Sequence, residues 1–307
     1  MTIEAWGMLA TGVAALAAGL ILARGRWRAA SGAKRVLLLG PIFEAVALAM
    51  FAAEHFTAAR ELMGIVPLWL PLPLFWTWFV GVAWVAAAVS LIAWRQVRWS
   101  AMGTSLLMLI IVITVSLPGL SRHLHDRFSW ILTVRETSFA GGAMVLAGSV
   151  WGSGETGRVL MRVGRWIVAL VMVFYAIEHF LYPRFVPGVP LEKPLPGWVP
   201  GGWLLAYVVG ASLLAAGIGL MVPRKAQVAA AGCGTVLLLL TAFFYVPMFF
   251  TQMQTPAGAV EGLNYIGDTM LFAATVLLAG RSAERRDCVG DRRAAEPILT
   301  KAKAHAL

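Results

Sequence analysis

The chain is poor in charged residues and in cysteine, and both scarcities exclude classes of protein. Charged side chains make up 13% of the 307 residues, against roughly a quarter in a soluble domain, so a soluble globular fold is excluded. The two cysteines are Cys233, in an apolar segment, and Cys288, in the polar tail, and the sequence contains no Cys-x-x-Cys pair. We therefore expect no thiol–disulfide chemistry from this chain alone.

Several common site motifs are also missing. The sequence has no phosphate-binding glycine loop, no nucleophile elbow and no His-Glu-x-x-His zinc motif. His123, His125 and Asp126 share one loop but lack a fourth ligand at the usual spacing, so a solvated loop is favoured over a metal site. The formal net charge of +10 does not indicate a nucleic-acid partner, because the basic residues stand in short loops between apolar runs and in the tail.

Long apolar segments dominate what is present. Sixty per cent of the residues are apolar, and a membrane-spanning helix needs roughly 20 of them in succession. The sequence predicts an all-α polytopic membrane protein with about nine transmembrane helices. The predicted spans are 6–23, 36–56, 75–94, 100–117, 136–152, 164–181, 203–222, 228–250 and 263–280.

The distribution of lysine and arginine predicts the orientation. Nineteen of the 25 basic residues fall in the tail or in the loops after spans 1, 3, 5 and 7, and six fall on the opposite side. Because basic loops stay in the cytoplasm, we expect the N-terminus outside and the C-terminus in the cytoplasm of a bacterial inner membrane. The first span lacks a basic leader and is followed by Arg24, Arg26 and Arg28, which favours a retained reverse signal-anchor over a cleaved signal peptide.

The chain contains a four-helix pattern twice. The sequence "MFAAEHFTAAR" (50–60) returns as "FYAIEHFLYPR" (174–184) at a shift of 124, and later segments align at shifts of 129 and 132. The predicted domains are an N-terminal helix and basic linker (1–35), repeat A (36–152), repeat B (153–280) and a disordered cytoplasmic tail (281–307).

The duplicated Glu-His pairs are the first candidates for chemistry. Glu54-His55 and Glu178-His179 close the first helix of each repeat, near the outer surface. Adjacent helical residues point about 100° apart, so both members of a pair cannot face one small site. One interpretation is a helix-end anchor, with the histidine favoured there by the helix dipole. The other is a catalytic or binding site that uses one or both pairs.

Glu44 is a second candidate, because it lies deep in the second span. A carboxyl group at that depth costs on the order of 3 kcal/mol and usually faces the bundle interior. Eleven residues are almost three helical turns, so Glu44 and His55 share one face, about 16 Å apart. Repeat B has Val168 at the matching position. A proton or headgroup pathway and a protonated, hydrogen-bonded glutamate are equally compatible with this pattern.

The aligned acids Glu136 and Asp268 are expected at the start of the fourth helix of each repeat, where a carboxylate favours the helix dipole. Asn264 precedes Asp268 by one turn and shares its face. Alternatively, each acid meets the Glu-His end of its own repeat in a ligand or proton site. Arg60 and Arg184 are then the expected counter-charges.

A Pro- and Trp-rich loop follows the first helix of each repeat, at 64–73 and 187–202. Proline prevents regular helix there, and tryptophan suits the headgroup region. We expect each loop to be an interfacial cap over the outer end of its bundle rather than a substrate lid.

These features together suggest a family. A four-helix unit with Ala53 to Phe56, a Val-Pro-x-Trp-Leu-Pro segment at Val66 to Pro71, and glycine-containing helices at 81–91 and 141–148 resembles the DoxX-like membrane proteins of bacteria. The resemblance covers about 230 residues as two tandem units and leaves the first span and the tail outside. It implies an accessory subunit of quinone-linked oxidation, or a partner of membrane or periplasmic redox proteins.

The sequence thus favours an accessory or scaffolding membrane subunit with a lipid- or quinone-sized cleft between its repeats. The small residues Gly81 and Gly210 are expected at that seam. Two alternatives remain open. One is an oxidoreductase subunit, in which His55 and His179 ligate a haem or the paired glutamates take protons from a quinol. The other is a small-molecule or proton-coupled transporter that uses Glu44.

Overall fold

In the part of the chain that the computed structural model describes, nine long helices run side by side, and one helix covers each predicted span. The structure describes residues 1–281 except 153 and 190–192. Residues 282–307 of the predicted disordered tail, with Cys288 among them, lie outside the described residues. The helices are α1 (Ile3–Ala29), α2 (Gly32–Thr57), α3 (Pro73–Ala93), α4 (Val97–Arg122), α5 (Arg127–Val150), α6 (Glu155–Leu181), α7 (Gly202–Met221), α8 (Ala226–Gln252) and α9 (Pro256–Gly280).

Eight of these helices, all except α5, are long and apolar enough to cross a membrane. The prediction of nine such spans is corrected at α5, whose hydropathy is lowered by Arg135, Glu136 and several small polar residues. Even so, α5 is 24 residues long, which corresponds to about 36 Å, and it runs antiparallel to α6 along most of that length. Its first residue, Arg127, bonds Glu178 near the end of α6. The chain is an all-α polytopic membrane protein.

The helices form a closed ring with an extra helix outside it. Each of α2 to α9 packs against the next, α9 returns to α2, and α1 packs on the outside of α2. The fourth helices of the two repeats, α5 and α9, also contact each other across the centre. As a result, the first helix of each repeat packs against the fourth helix of the other repeat.

Glycine allows the closest of these contacts, between α5 and α6. A Cβ on Gly164 would lie 2.4 Å from the carbonyl oxygen of Gly141, and one on Gly148 would lie 2.7 Å from that of Gly157. Backbones this close tolerate no side chain, which is a common way to join helices in a membrane. The predicted seam glycines lie elsewhere: Gly81 packs on His55 and Gly210 on His179, each within its own repeat.

The fourth helices start earlier than the sequence predicts. The carboxylate of Asp126 accepts bonds from the backbone N–H and hydroxyl of Ser129 at the start of α5, and these bonds hold the pKa of Asp126 below its usual value. Thr255 accepts in the same way from Gly258 at the start of α9. Glu136 and Asp268 therefore lie well inside their helices, and their expected role at the helix start is wrong because Asp126 and Thr255 are the caps.

A single turn of π-helix interrupts α4 at Val112–Ser116 and α8 at Thr241–Tyr245. A proline follows each π turn, Pro118 in α4 and Pro247 in α8. Proline has no backbone N–H to donate, and the wider π turn lets the helix continue past the missing hydrogen bond. The two turns place Ser116 and Tyr245 at matching positions, facing the ring interior in both halves.

Candidate functional site

One cavity opens at the end of the bundle where α1, α3, α5 and α9 begin and α2 ends. Its volume is about 770 Å³, within the range of small-molecule sites. The wall comes from both repeats and from the N-terminus, since Thr2 and Glu4 contribute from the start of α1. We refer to this end of the ring as the cavity end.

The polar part of the wall joins the two repeats. Asn264 Nδ2 on α9 donates to Glu54 Oε1 on α2 at 2.9 Å. One turn further along α9, Asp268 Oδ2 accepts from Arg135 Nη1 on α5 at 2.5 Å, with both side chains mostly buried. The hydroxyl of Ser116 donates to Glu136 Oε2. The Glu-His end of repeat A therefore bonds the fourth helix of repeat B, while Glu136, the acid of its own repeat, lines the same cavity.

The rest of the wall is apolar. The apolar side chains come from α2, α3, α4, α5 and α9, and they are Phe51, Val80, Trp84, Met108, Ile111, Phe139, Val260 and Leu271. A polar region next to an apolar wall matches a ligand that has a polar head and an apolar body.

His55 presents one ring nitrogen for a ligand. Its Nδ1 lies 2.7 Å from the carbonyl oxygen of Phe51. Because a carbonyl can only accept, Nδ1 carries the proton, and Nε2 of the neutral ring is then an acceptor. His55 and Glu54 both line the cavity, which corrects the expectation that the two members of a pair cannot face one site, because the cavity is wide enough to reach both. No described residue bonds to His55 Nε2.

His179, the counterpart of His55, is fully engaged by its surroundings. Its Nδ1 lies 2.6 Å from the carbonyl oxygen of Tyr175, and its Nε2 accepts from the backbone N–H of Gly188 at 2.7 Å. The side chain is fully buried. Of the two site candidates, His55 can meet a ligand, and His179 anchors a loop.

The loop that follows α6 occupies the space in repeat B that the cavity occupies in repeat A. Val186 and Val189 are fully buried, and the hydroxyl of Tyr245 donates to the carbonyl of Pro187 at 2.5 Å. This loop, which was expected to cap the outer surface of repeat B, is therefore partly buried inside the bundle. In repeat A the corresponding loop is exposed, with Trp69 68% accessible.

Glu178 is also satisfied. Arg127 Nε bonds its Oε2 at 2.7 Å, and the Arg127 guanidinium stacks 4.2 Å from the ring centre of Tyr182. The expected counter-charges, Arg60 and Arg184, are both exposed and form none of the ion pairs found in the described part of the chain. Arg127 and Arg135 are the counter-charges instead, because the fourth helix of repeat A faces both clusters.

Glu44 lies apart from the cavity. It is 2% exposed, and its Oε2 has no hydrogen-bond partner among the described residues. Its counterpart Val168 is fully buried. Nothing in the described wall connects Glu44 to the cavity, so the predicted polar stripe from Glu44 to His55 has no continuous polar path.

Sequence reasoning missed Arg135, Ser116 and the cluster around Glu261. The carboxylate of Glu261 accepts from Lys193 of the repeat B loop and from the hydroxyl of Tyr265. The adjacent charges Arg135 and Glu136 inside an apolar segment were the available signal, since charges at membrane depth usually face the bundle interior.

The residues do not fit the haem that the sequence leaves open as an alternative. A bis-histidine haem needs a free nitrogen on both His55 and His179, and both nitrogens of His179 are already bonded. A quinone-sized amphiphile matches the cavity volume and the apolar wall. Among the described residues, no group of three or more His, Cys, Asp or Glu could hold a metal ion.

Comparisons with protein-family models, with curated proteins and with solved structures found no match to this chain. The fold and the cavity therefore define its class on their own: a multi-pass helical membrane protein with an amphipathic cavity at one end of the bundle.

Proposed function

We propose that the protein is an accessory subunit of the bacterial inner membrane whose cavity holds a lipid- or quinone-sized amphiphile. The observation that carries the proposal is a cavity of about 770 Å³ with polar groups at one side and an apolar wall at the other. In this role the chain presents the bound amphiphile to a membrane or periplasmic redox partner. The cavity end faces outward if the basic loops remain in the cytoplasm.

We further propose that the two halves are DoxX-like units that arose by duplication. Matching local structure supports this proposal. The histidines bond the carbonyl four residues earlier in both halves, and the π turns are separated by 129 residues. Duplication followed by divergence explains why one half keeps a cavity and the other fills it.

The test is to identify what remains bound after purification in mild detergent. Native mass spectrometry and a visible spectrum are recorded for the wild type, for Ala257→Trp, which puts an indole into the cavity mouth, and for Ala86→Trp, a control on the exposed face of α3. We expect a stoichiometric amphiphile in the wild type and in Ala86→Trp, and its loss in Ala257→Trp. Equal amounts in all three proteins would contradict the proposal.

A second candidate function is a subunit that oxidises a quinol. His55 Nε2 is an acceptor with no described partner, and Glu54 lies beside it in the wall. In this function Glu54 and His55 take the two hydroxyl protons of a hydroquinone, and the redox partner takes its two electrons. Stoichiometric co-purified quinone, and loss of quinol-dependent reduction of a partner in His55→Ala, would favour this function over a purely structural role.

A further inference from the structure

The two Glu-His ends differ in one respect that points to the ligand. Glu178 is paired with a cation, the guanidinium of Arg127. Glu54 is paired with the neutral amide of Asn264, and the ionisable groups that act on it are the acids Glu4 and Asp268. No described cation bonds Glu54.

The two helix starts near the Glu-His ends differ in charge. Asp126 caps α5 and is followed by Arg127, while Thr255 caps α9 in the same way and is followed by Pro256. Each of these first helical residues lies at the end of the helix that packs against the other repeat's Glu-His end. Pro256 lines the cavity and brings no cation to it.

The histidines differ in the same sense. His179 Nε2 receives an N–H from Gly188, whereas His55 Nε2 receives none from the described chain. The Glu-His end of repeat B thus receives an N–H donor for its histidine from its own loop and a cation for its glutamate from Arg127 of repeat A. Among the described residues, the Glu-His end of repeat A receives neither and has a cavity in that place.

The charge of the wall agrees with this difference. Among its described residues five are acidic, namely Glu4, Glu54, Glu136, Glu261 and Asp268, and one, Arg135, is basic. Arg135 is committed to Asp268, and Lys193 adds one further cation at Glu261. Carboxylates at the edge of a low-dielectric region are costly when they outnumber the cations there, and a positive charge bound beside them lowers that cost.

We propose that the cavity binds an amphiphile with a primary ammonium head, which donates N–H bonds to the Glu54 carboxylate and to His55 Nε2. The apolar body of the ligand lies against Trp84, Met108 and Ile111. This inference rests on the proposed function, because it names the chemical class of the ligand that the cavity holds. A free alkylamine and an aminophospholipid headgroup share this chemistry.

The test compares three probes of equal chain length on purified protein in phosphatidylcholine nanodiscs. Dodecylamine has charge and N–H donors, dodecyltrimethylammonium has charge without donors, and dodecanol has a donor without charge. By isothermal titration calorimetry we expect dodecylamine to bind at least about tenfold more tightly than either of the others, because it alone offers charge-assisted N–H donors. A tenfold ratio corresponds to about 1.4 kcal/mol.

Variants assign the effect to the site. We expect Glu54→Gln to weaken dodecylamine binding about tenfold or more. Glu155→Gln removes an exposed acid at the start of α6, outside the cavity lining, and should leave binding unchanged. Pro256→Arg supplies the missing cation from the chain and should also abolish amine binding while thermal stability is kept. Unchanged affinity in both Glu54→Gln and Pro256→Arg would overturn the proposal.

The outcomes separate this inference from the proposed function. If dodecanol binds as tightly as dodecylamine and Ala257→Trp blocks both, the ammonium proposal fails and the amphiphile cavity stands. If no probe binds and nothing co-purifies, both fail. Where dodecylamine binds, the titration is repeated in nanodiscs that contain phosphatidylethanolamine. Weaker dodecylamine binding there identifies an aminophospholipid as the ligand, because the lipid competes with the probe. Unchanged binding identifies a free alkylamine.

Discussion

The two histidines should contribute unequally to stability although the sequence around them is nearly the same. Replacing either with alanine removes a bond from Nδ1 to a helical carbonyl that keeps its backbone partner. His179→Ala also leaves the buried N–H of Gly188 without an acceptor, which costs about 1–3 kcal/mol. It further leaves a hole in a fully buried site, which costs about 2 kcal/mol more.

His55→Ala enlarges a cavity that already exists, so we expect a loss of about 1 kcal/mol or less. The difference between the variants is then about 2–4 kcal/mol. Thermal unfolding of delipidated protein in detergent, followed by tryptophan fluorescence, should show a midpoint about 5–10 °C lower for His179→Ala than for His55→Ala. Equal midpoints would refute the assignment of His179 to the loop and His55 to the cavity.

Two further predictions concern the helix contacts. Gly164→Ala should destabilise the protein by more than about 2 kcal/mol, because its Cβ would meet a backbone oxygen at 2.4 Å. Gly103 has open space around it, so Gly103→Ala should be neutral or stabilising in the same unfolding assay. Equal behaviour of the two variants would contradict the close backbone contact. Arg127→Met should lower the unfolding free energy by about 3 kcal/mol by leaving Glu178 unpaired. Combining it with Glu178→Gln should recover part of that loss, and no recovery in this double-mutant cycle would contradict direct coupling.

The positions of the helices could be predicted from the sequence, and their partners could not. Apolar runs identify helices in a membrane because every backbone group there must bond within its own segment. That argument finds all nine helices of the described residues. It starts α5 and α6 nine residues late and α9 seven residues late, since charged or polar residues lie in the first turns of these helices.

The candidate site was predicted in part. Glu54, His55, Asn264, Glu136 and Asp268 all line the cavity, because buried polar residues near one end of a bundle tend to converge. The pairing of Glu54 with repeat B depends on ring closure between α2 and α9, which local pattern does not encode. The different fates of His55 and His179 depend on how one loop folds inward, and the two sequences are too alike at the histidines to reveal it.

Ring closure also sets the order in which the protein can be completed during synthesis. Asn264 follows Glu54 by 210 residues, so at about 5–20 residues per second the ribosome delivers the partner of Glu54 about 10–40 s after Glu54 itself. Throughout that interval α2 resides in the membrane with α1 at one side and its α9 face uncovered. The binding cavity is consequently a product of the last helix to insert, and a chain that stops before α9 has eight helices and no place for a ligand.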